Sequence, residues 1–398
     1  MLVKDNAVSK LSETSENTAS APLAGIRILD LSVSVAGPFS SMLLADMGAE
    51  VIKIEPPSGD ISRKWGPPFV EDNSSAYFYS LNRNKKSISL NLKEAGDKEI
   101  FTSLIRKSDV LIESFRPGVL DKLGFSWDEV HAMNRKLVYC SITGYGQDGP
   151  SSQDPAFDLM IQARSGLTSV TGESSLSPIK IGVPIVDLVT GIYTSFAVAV
   201  AIGNHNRDAD GRRIDISMLD SAFSLLCYWV TGYSVTGKEL PRQGNGHPTM
   251  VPYQIFETKD GSIAISASDS RQWQRFTQAL NRADLFDDPR FVDNAARVGH
   301  RQELVDTIQK ILLNYDRDTI VSLMRDYGVP SSAVQTIKDV IDDPQLQYRG
   351  MIQKIGGVIV PGCPIKMSDF TWNLRTAPPK QGQDALEILE DLEIPKNI

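Results

Sequence analysis

Apolar and polar positions in the first half of the chain fall into short strand-like runs separated by helical stretches. Residues 25–32 (Gly-Ile-Arg-Ile-Leu-Asp-Leu-Ser) read as a buried strand, 34–39 as a turn, 39–47 as a short helix closed by Gly48, and 50–55 as a second strand. The rhythm continues with a strand at 87–91, a helix at 95–107, and strands at 109–113 and 137–143. Short apolar runs spaced by helices predict an α/β architecture, with a largely parallel sheet covered on both faces. Ligands in such sheets sit at the carboxyl ends of the strands. Those ends lead into loops 33–38, 114–118 and 144–150.

One stretch breaks the rhythm. From Ile185 to Ile202 the chain is apolar nearly all round, with Asp187 as its single charged residue and Pro184 well placed to start a helix. A helix apolar all round is expected to be buried. Its lone carboxylate would lie near the helix N-terminus, where the dipole and free N–H groups favour an anion. On this stretch alone Asp187 reads as a catalytic group or a structural cap, and the run itself as a core helix or a membrane span. The unpaired Asp187, the interruptions at Thr190, Thr194 and Ser195, and the lack of a second such run argue for the core helix.

The second half changes character. A strand at 214–217 and a helix at 219–233 precede a Gly- and Pro-rich loop at 237–252, which reads as a mobile lid. A hairpin follows, with strands at 253–258 and 262–266 about an Asp-Gly turn, then helices at 272–280, 302–313 and 319–326. The expected organisation is a flexible arm at 1–21, a Rossmann-like large domain at 22–210 and 330–398, a linker at 211–229, and a smaller α+β domain at 230–325. The tail adds an apolar run at 357–360 and a closing helix at 385–392.

Composition narrows the chemistry. The 398 residues are 41% hydrophobic and 23% charged, with a net charge of -8, which disfavours nucleic-acid and membrane-surface binding. Three scattered cysteines and four scattered histidines give neither a disulfide framework nor a metal spacing, so no metal is expected and a reducing compartment, the cytoplasm, is. The arm is rich in Ser, Thr and Asn and has neither the apolar core nor the arginines of a targeting segment. Val35-Ala36-Gly37-Pro38 offers one glycine where a dinucleotide turn needs three, so NAD is not the default ligand. Against the acidic background, Arg83, Lys85, Lys86, Lys93, Arg116 and Lys122 stand out. They read as a polyphosphate cradle or as solvated surface.

At this point many motifs, in order, match a known family. Leu23-Ala-Gly-Ile-Arg-Ile-Leu-Asp-Leu31, Ala36-Gly-Pro38, Gly48-Ala-Glu-Val-Ile-Lys-Ile-Glu55, Asn82-Arg-Asn-Lys-Lys-Ser87, Arg116-Pro-Gly118, Tyr139-Cys-Ser-Ile-Thr-Gly-Tyr-Gly146 and the stretch 182–191 resemble the family III CoA-transferases, the formyl-CoA and crotonobetainyl-CoA transferase group. Asn245-Gly-His-Pro248 with Val251-Pro-Tyr-Gln254 is most similar to the branch using succinate, glutarate and related dicarboxylates.

The resemblance implies an interlocked-ring homodimer, coenzyme A thioesters and free carboxylic acids as substrates, and no prosthetic group. It places the nucleophile on Asp187 and contacts to CoA on Val35, Ala36, Pro56, Leu90, Lys93, Ser114, Phe115, Arg116, Lys122 and near Asp158. Val35 and Pro56 depart from the formyl-CoA pattern, which has glutamine and arginine there. The formyl-CoA glycine-run lid is absent; Gly244 and Gly246 are its nearest counterparts and read as N–H donors to an oxyanion or as a structural turn. Arg164 reads as a clamp for a distal carboxylate or as one member of a surface ion pair. Two competing readings are an α-methylacyl-CoA racemase and a non-catalytic subunit of a hetero-oligomeric transferase. The racemase needs a second acid/base group where this chain has Phe157, and a non-catalytic subunit would not need Asp187.

Overall fold

The computed structural model of the chain describes residues 21–70, 73–203 and 210–394. The arm expected at 1–21 therefore lies, but for Ala21, outside the described residues. The chain divides into two compact units, one drawn from Met1–Ser165, Gly182–Leu226 and Gln345–Ile398, the other from Gly166–Ile181 and Cys227–Pro344.

The first unit is built on strands β1 (Arg27–Asp30), β2 (Glu50–Glu55), β3 (Lys85–Ser89), β4 (Val110–Glu113), β5 (Val138–Thr143) and β6 (Arg213–Ser217). They form one sheet in the order β3-β2-β1-β4-β5-β6, every neighbouring pair parallel. Alternate residues of each strand feed opposite cores. Leu29, Ile52 and Leu111 pack with Phe101, Leu104 and Ile388, while Ile28, Val51 and Val110 pack with Leu44, Ala45 and Val198. Burial on both faces is why these strands read as continuous apolar runs rather than alternating ones. The order reverses between β1 and β4, the switch point at which doubly wound sheets open a crevice for ligands.

Helices α1 (Ala36–Asp46), α2 (Ala95–Arg106), α3 (Asp158–Ser165), α4 (Ile185–Gly203), α5 (Met218–Ser224) and α6 (Ala385–Asp391) accompany the sheet. Helix α1 starts earlier than the pattern suggested. Pro38 falls within its first turn, where backbone N–H groups have no helical partner to lose. Segment 211–229 is not a linker, because β6 pairs with β5 along Tyr139 to Thr143 and α5 follows at once. The single helix expected at 219–233 is two, α5 and Cys227–Thr236, the second opening on Cys227 at φ +34°. Helix α4 is buried on one face only. Asp187, Thr190, Gly191, Thr194 and Val198 are enclosed, whereas Ile192, Phe196 and Val200 are exposed. It is long and apolar enough to cross a membrane, but its enclosed face packs within the first unit.

The second unit holds an antiparallel sheet in which Ser262–Ser266 lies between Tyr253–Glu257 and Ser331–Ala333. Strand Ser331–Ala333 thus belongs to this unit and not to a return into the first. The core joins Trp273 and Phe276 to Leu304, Ile308, Ile320 and Met324 of the helices Ser270–Ala279, Arg301–Leu312 and Arg317–Asp326. Residues 166–181 also belong here, through the short pairing of Gly172–Glu173 with Gln243–Gly244.

Candidate active site

At the β1–β4 switch point the turn after β1 is fixed by buried charges. Lys53 Nζ donates to the Ser32 carbonyl at 2.9 Å, and Lys85 Nζ donates to the Pro38 carbonyl at 2.9 Å. The two lysines therefore hold the two ends of the turn. Their charges are met by Asp60, 2.8 Å from Lys53, and Asp30, 3.0 Å from Lys85. Asp30 also accepts from the Ser32 N–H and from the Ser32 and Ser41 hydroxyls. Burial alone would raise the Asp30 carboxyl, but Lys85 and Lys53 hold it well below the usual range, while burial draws Lys85 down to about 8. Within this frame Ser34 adopts φ +73°, unusual for a residue with a side chain and tolerable because both ends of the turn are held.

The loop after β4 is tied to that turn, since Val33 N–H donates to Ser114 Oγ at 3.0 Å. Glu113, the last residue of β4, accepts from Phe115 N–H at 2.7 Å and shapes the loop from behind. Burial pushes the Glu113 carboxyl up to about 7.

Helix α4 brings the third component. Its first turn is capped from a distance, because Asp158 Oδ1 accepts from Val186 N–H at 2.8 Å and Asp187 N–H at 3.3 Å. The other Asp158 oxygen accepts from Gln162 Nε2 at 2.5 Å. One turn further on, a methyl at Gly191 would meet the Ala36 carbonyl at 2.7 Å, so a glycine there lets α4 approach α1. This approach sets Asp187 beside the β1 turn. Burial, with the nearby Asp158 charge, raises the Asp187 carboxyl to about 7. The dipole argument from sequence accounts for the anion's place at the helix end, but burial outweighs it.

Asp187 faces a cavity of about 250 Å³ whose lining includes Ala36, Ser114, Phe115, Arg116 and Phe157. Arg116 is the only cationic side chain in that lining among the described residues. The expected residues Ala36, Ser114, Phe115, Arg116 and Asp187 are thus brought together. Others are not. The Val35 side chain is buried at the start of α1, Leu90 lies in the core with Ile88 and Phe101, and Asp158 spends its carboxylate on capping. Pro56, Lys93 and Lys122 are exposed and stand outside this cavity's lining.

The basic cluster dissolves as a unit. Arg83 pairs with Asp46 at 2.6 Å, Lys85 with Asp30, and Lys86 with Glu50 at 2.7 Å and Glu387 at 2.8 Å. Buried or half-buried cations require such partners. Arg164 sits over the Tyr145 ring at 4.5 Å and pairs with Asp154 and Ser151, holding the cavity's rim instead of presenting an open fork. Residues the sequence reading missed include Asp30, Lys53 and Glu113, which act behind the site. Their signal was a charge at the end or middle of a run otherwise buried.

The glycine loop belongs to the second unit and is strapped down, unlike a mobile lid. Gly246 N–H donates to the Gln243 carbonyl at 2.8 Å, His247 N–H to the Tyr253 carbonyl at 2.9 Å, and Arg301 to the carbonyls of His247 and Pro248. Gly246 therefore has no spare N–H for an oxyanion. Gly244 has φ +59° and pairs with Gly172, with the Glu173 carboxylate lying where a β-carbon would go.

Comparison with known proteins adds the chemical context. Residues 23–385 match the model of CoA-transferase family III. A succinate–glutarate CoA-transferase of Agrobacterium fabrum is 36% identical over 383 residues, covering 94% of this chain and 96% of the relative. An acetyl-CoA:oxalate CoA-transferase of Acetobacter aceti is 36% identical over 362 residues, 90% of this chain and 92% of the relative. Among solved structures, a CAIB/BAIF family protein from Brucella suis superposes with a TM-score of 0.86 at 35% identity, covering 94% of this chain and 99% of the other.

Proposed function

The chain belongs to CoA-transferase family III and is an enzyme of that kind, and on that premise we propose that it moves CoA from succinyl-CoA to a dicarboxylate through Asp187. The observation that carries this reading is the Asp187 carboxylate at a capped helix N-terminus, set into the cavity at the sheet's switch point. In the first step an Asp187 oxygen attacks the donor thioester carbonyl and the carbon–sulfur bond breaks, giving an aspartyl–acyl anhydride and CoA thiolate. The thiolate then attacks the aspartyl carbonyl and expels the donor acid, leaving an aspartyl-CoA thioester. The acceptor carboxylate attacks that thioester, and the steps reverse to form the new acyl-CoA and free Asp187. One thioester replaces another, so the electron count is unchanged and no ATP is consumed.

The chain's own residues serve this sequence in separable ways. Asp158 holds the first turn of α4, and with it Asp187, while Arg116 offers a forked cation to an anionic part of the substrates. Two relatives of equal identity act, by their names, on glutarate and on oxalate, so the acceptor is a dicarboxylate whose length identity alone does not choose. The uncovered apolar positions Ile192, Phe196 and Val200 on α4, and Tyr228, Tyr233 and Val235 in the second unit, support assembly as a homodimer. Phe157 in the cavity lining offers no proton to a racemase. The test is Asp187→Asn, expected to abolish CoA transfer while CoA binding and folding persist. Incubating the wild-type enzyme with succinyl-CoA and a panel of acids tests the acceptor, and a preference for monocarboxylates would overturn the dicarboxylate assignment.

A further inference from the structure

Helix α4 carries two threonines and a serine after Asp187, and their hydroxyls do not behave alike. Thr194 Oγ1 donates back to the Thr190 carbonyl at 2.8 Å, and Ser195 Oγ donates back to the Gly191 carbonyl at 3.0 Å. This is the usual resting place for a hydroxyl within a helix. Thr190 is fully buried, yet its Oγ1 has no hydrogen-bond partner. An orphaned hydroxyl in a closed interior is costly, and such groups often signal a function.

Its position suggests what it serves. Thr190 follows Asp187 by three residues, so the two share a face of α4, and both belong to the enclosed stripe. Helical side chains lean toward the N-terminus, which aims Thr190 at the turn bearing Asp187. A threonine in a helix has two accessible rotamers, so a χ1 change can redirect its hydroxyl.

We propose that Thr190 is a positioning residue whose hydroxyl is held unpaired in the resting enzyme and donates to the Asp187 carboxylate once that group ionises. The inference rests on Asp187 as the nucleophile. The donor offsets part of the desolvation that opposes ionisation of a carboxylate in this closed setting. It thereby widens the pH range in which the nucleophile is available. No group is consumed, since one O–H donates a hydrogen bond and retains its proton.

The experiment compares the full-length wild-type enzyme with Thr190→Val, which keeps the shape and removes the hydroxyl, and Thr190→Ser, which keeps the hydroxyl. Transfer rates are measured across the acid limb of the pH profile, with Asp187 thioester formation followed by peptide mass spectrometry. The expected result is an acid limb moved upward in Thr190→Val by about half a pH unit or more, roughly a threefold loss on the acid side that vanishes at alkaline pH. Thr190→Ser should retain the wild-type limb, and the KM for the acyl-CoA should stay unchanged in both. A Thr190→Val profile scaled down evenly at every pH, or Thr190→Ser behaving like Thr190→Val, would overturn the inference. If Thr190→Val does not fold, the limb of Thr190→Ser together with that of Thr190→Ala decides by the same criterion. Absence of a wild-type thioester on Asp187 would instead overturn the aspartyl reading, and this inference with it.

Discussion

Replacing Asp187 with asparagine should stabilise the protein at alkaline pH while removing its activity. Burial and the neighbouring Asp158 raise the Asp187 carboxyl from 3.8 to about 7 in the folded chain. Between those values the folded state binds a proton that the unfolded state does not, so stability falls as pH rises through this window. At 1.36 kcal/mol per pH unit, the stretch from about pH 5 to about pH 7 costs the wild type about 3 kcal/mol. The N-terminus of α4 acts in the opposite direction by about 1 kcal/mol, leaving about 2 kcal/mol. Asparagine keeps the shape and carries no charge at any pH. Urea unfolding of both proteins at about pH 5 and about pH 8, at one fixed protein concentration, measures the difference. The stability gained by Asp187→Asn should be larger at the higher pH by about 2 kcal/mol. An equal gain at both pH values would refute the argument that Asp187 is held against its ionisation.

Further outcomes follow from the surrounding contacts. Asp158→Asn keeps an acceptor for the N–H groups of Val186 and Asp187 but removes the charge, so the acid limb of the rate profile should move to lower pH. Asp158→Ala loses the cap as well and should destabilise by about 1 kcal/mol in a thermal melt. Lys85→Met leaves Asp30 buried without its ion-pair partner and should cost about 3–5 kcal/mol in the same assay, a wild-type melt contradicting the role given to that pair. Gly191→Ala places a methyl 2.7 Å from the Ala36 carbonyl, a backbone atom, and should destabilise by about 1–3 kcal/mol in a thermal melt and lower the rate of transfer.

Some of the architecture was legible because the determinants are local. The runs that became β1, β2, β4 and β5 are apolar because both sheet faces are covered, and the loops after β1 and β4 line the cavity as their strand-end positions suggested. Asp187 was conspicuous as one charge in an apolar helix. Counting cations along the chain does not show the acids that folding brings to them, such as Asp30 of β1 for Lys85 of β3, two strands apart in the sheet. The cap that Asp158 provides was not legible because the N–H groups it accepts from lie 28 and 29 residues away. The loop at 237–252 looked mobile from its glycines and prolines, whereas Arg301, more than 50 residues further along, bonds its carbonyls. The composition of α4 suggested burial all round, but the chain by itself encloses only one face of the helix.

Mass spectrometry of the peptide bearing Asp187, after brief incubation of the enzyme with succinyl-CoA, shows whether Asp187 is the covalent nucleophile. CoA attached at Asp187, lost on treatment with hydroxylamine and absent from Asp187→Asn, is the expected result. An enzyme that turns over at the wild-type rate with the Asp187 peptide unmodified at every time point would contradict it.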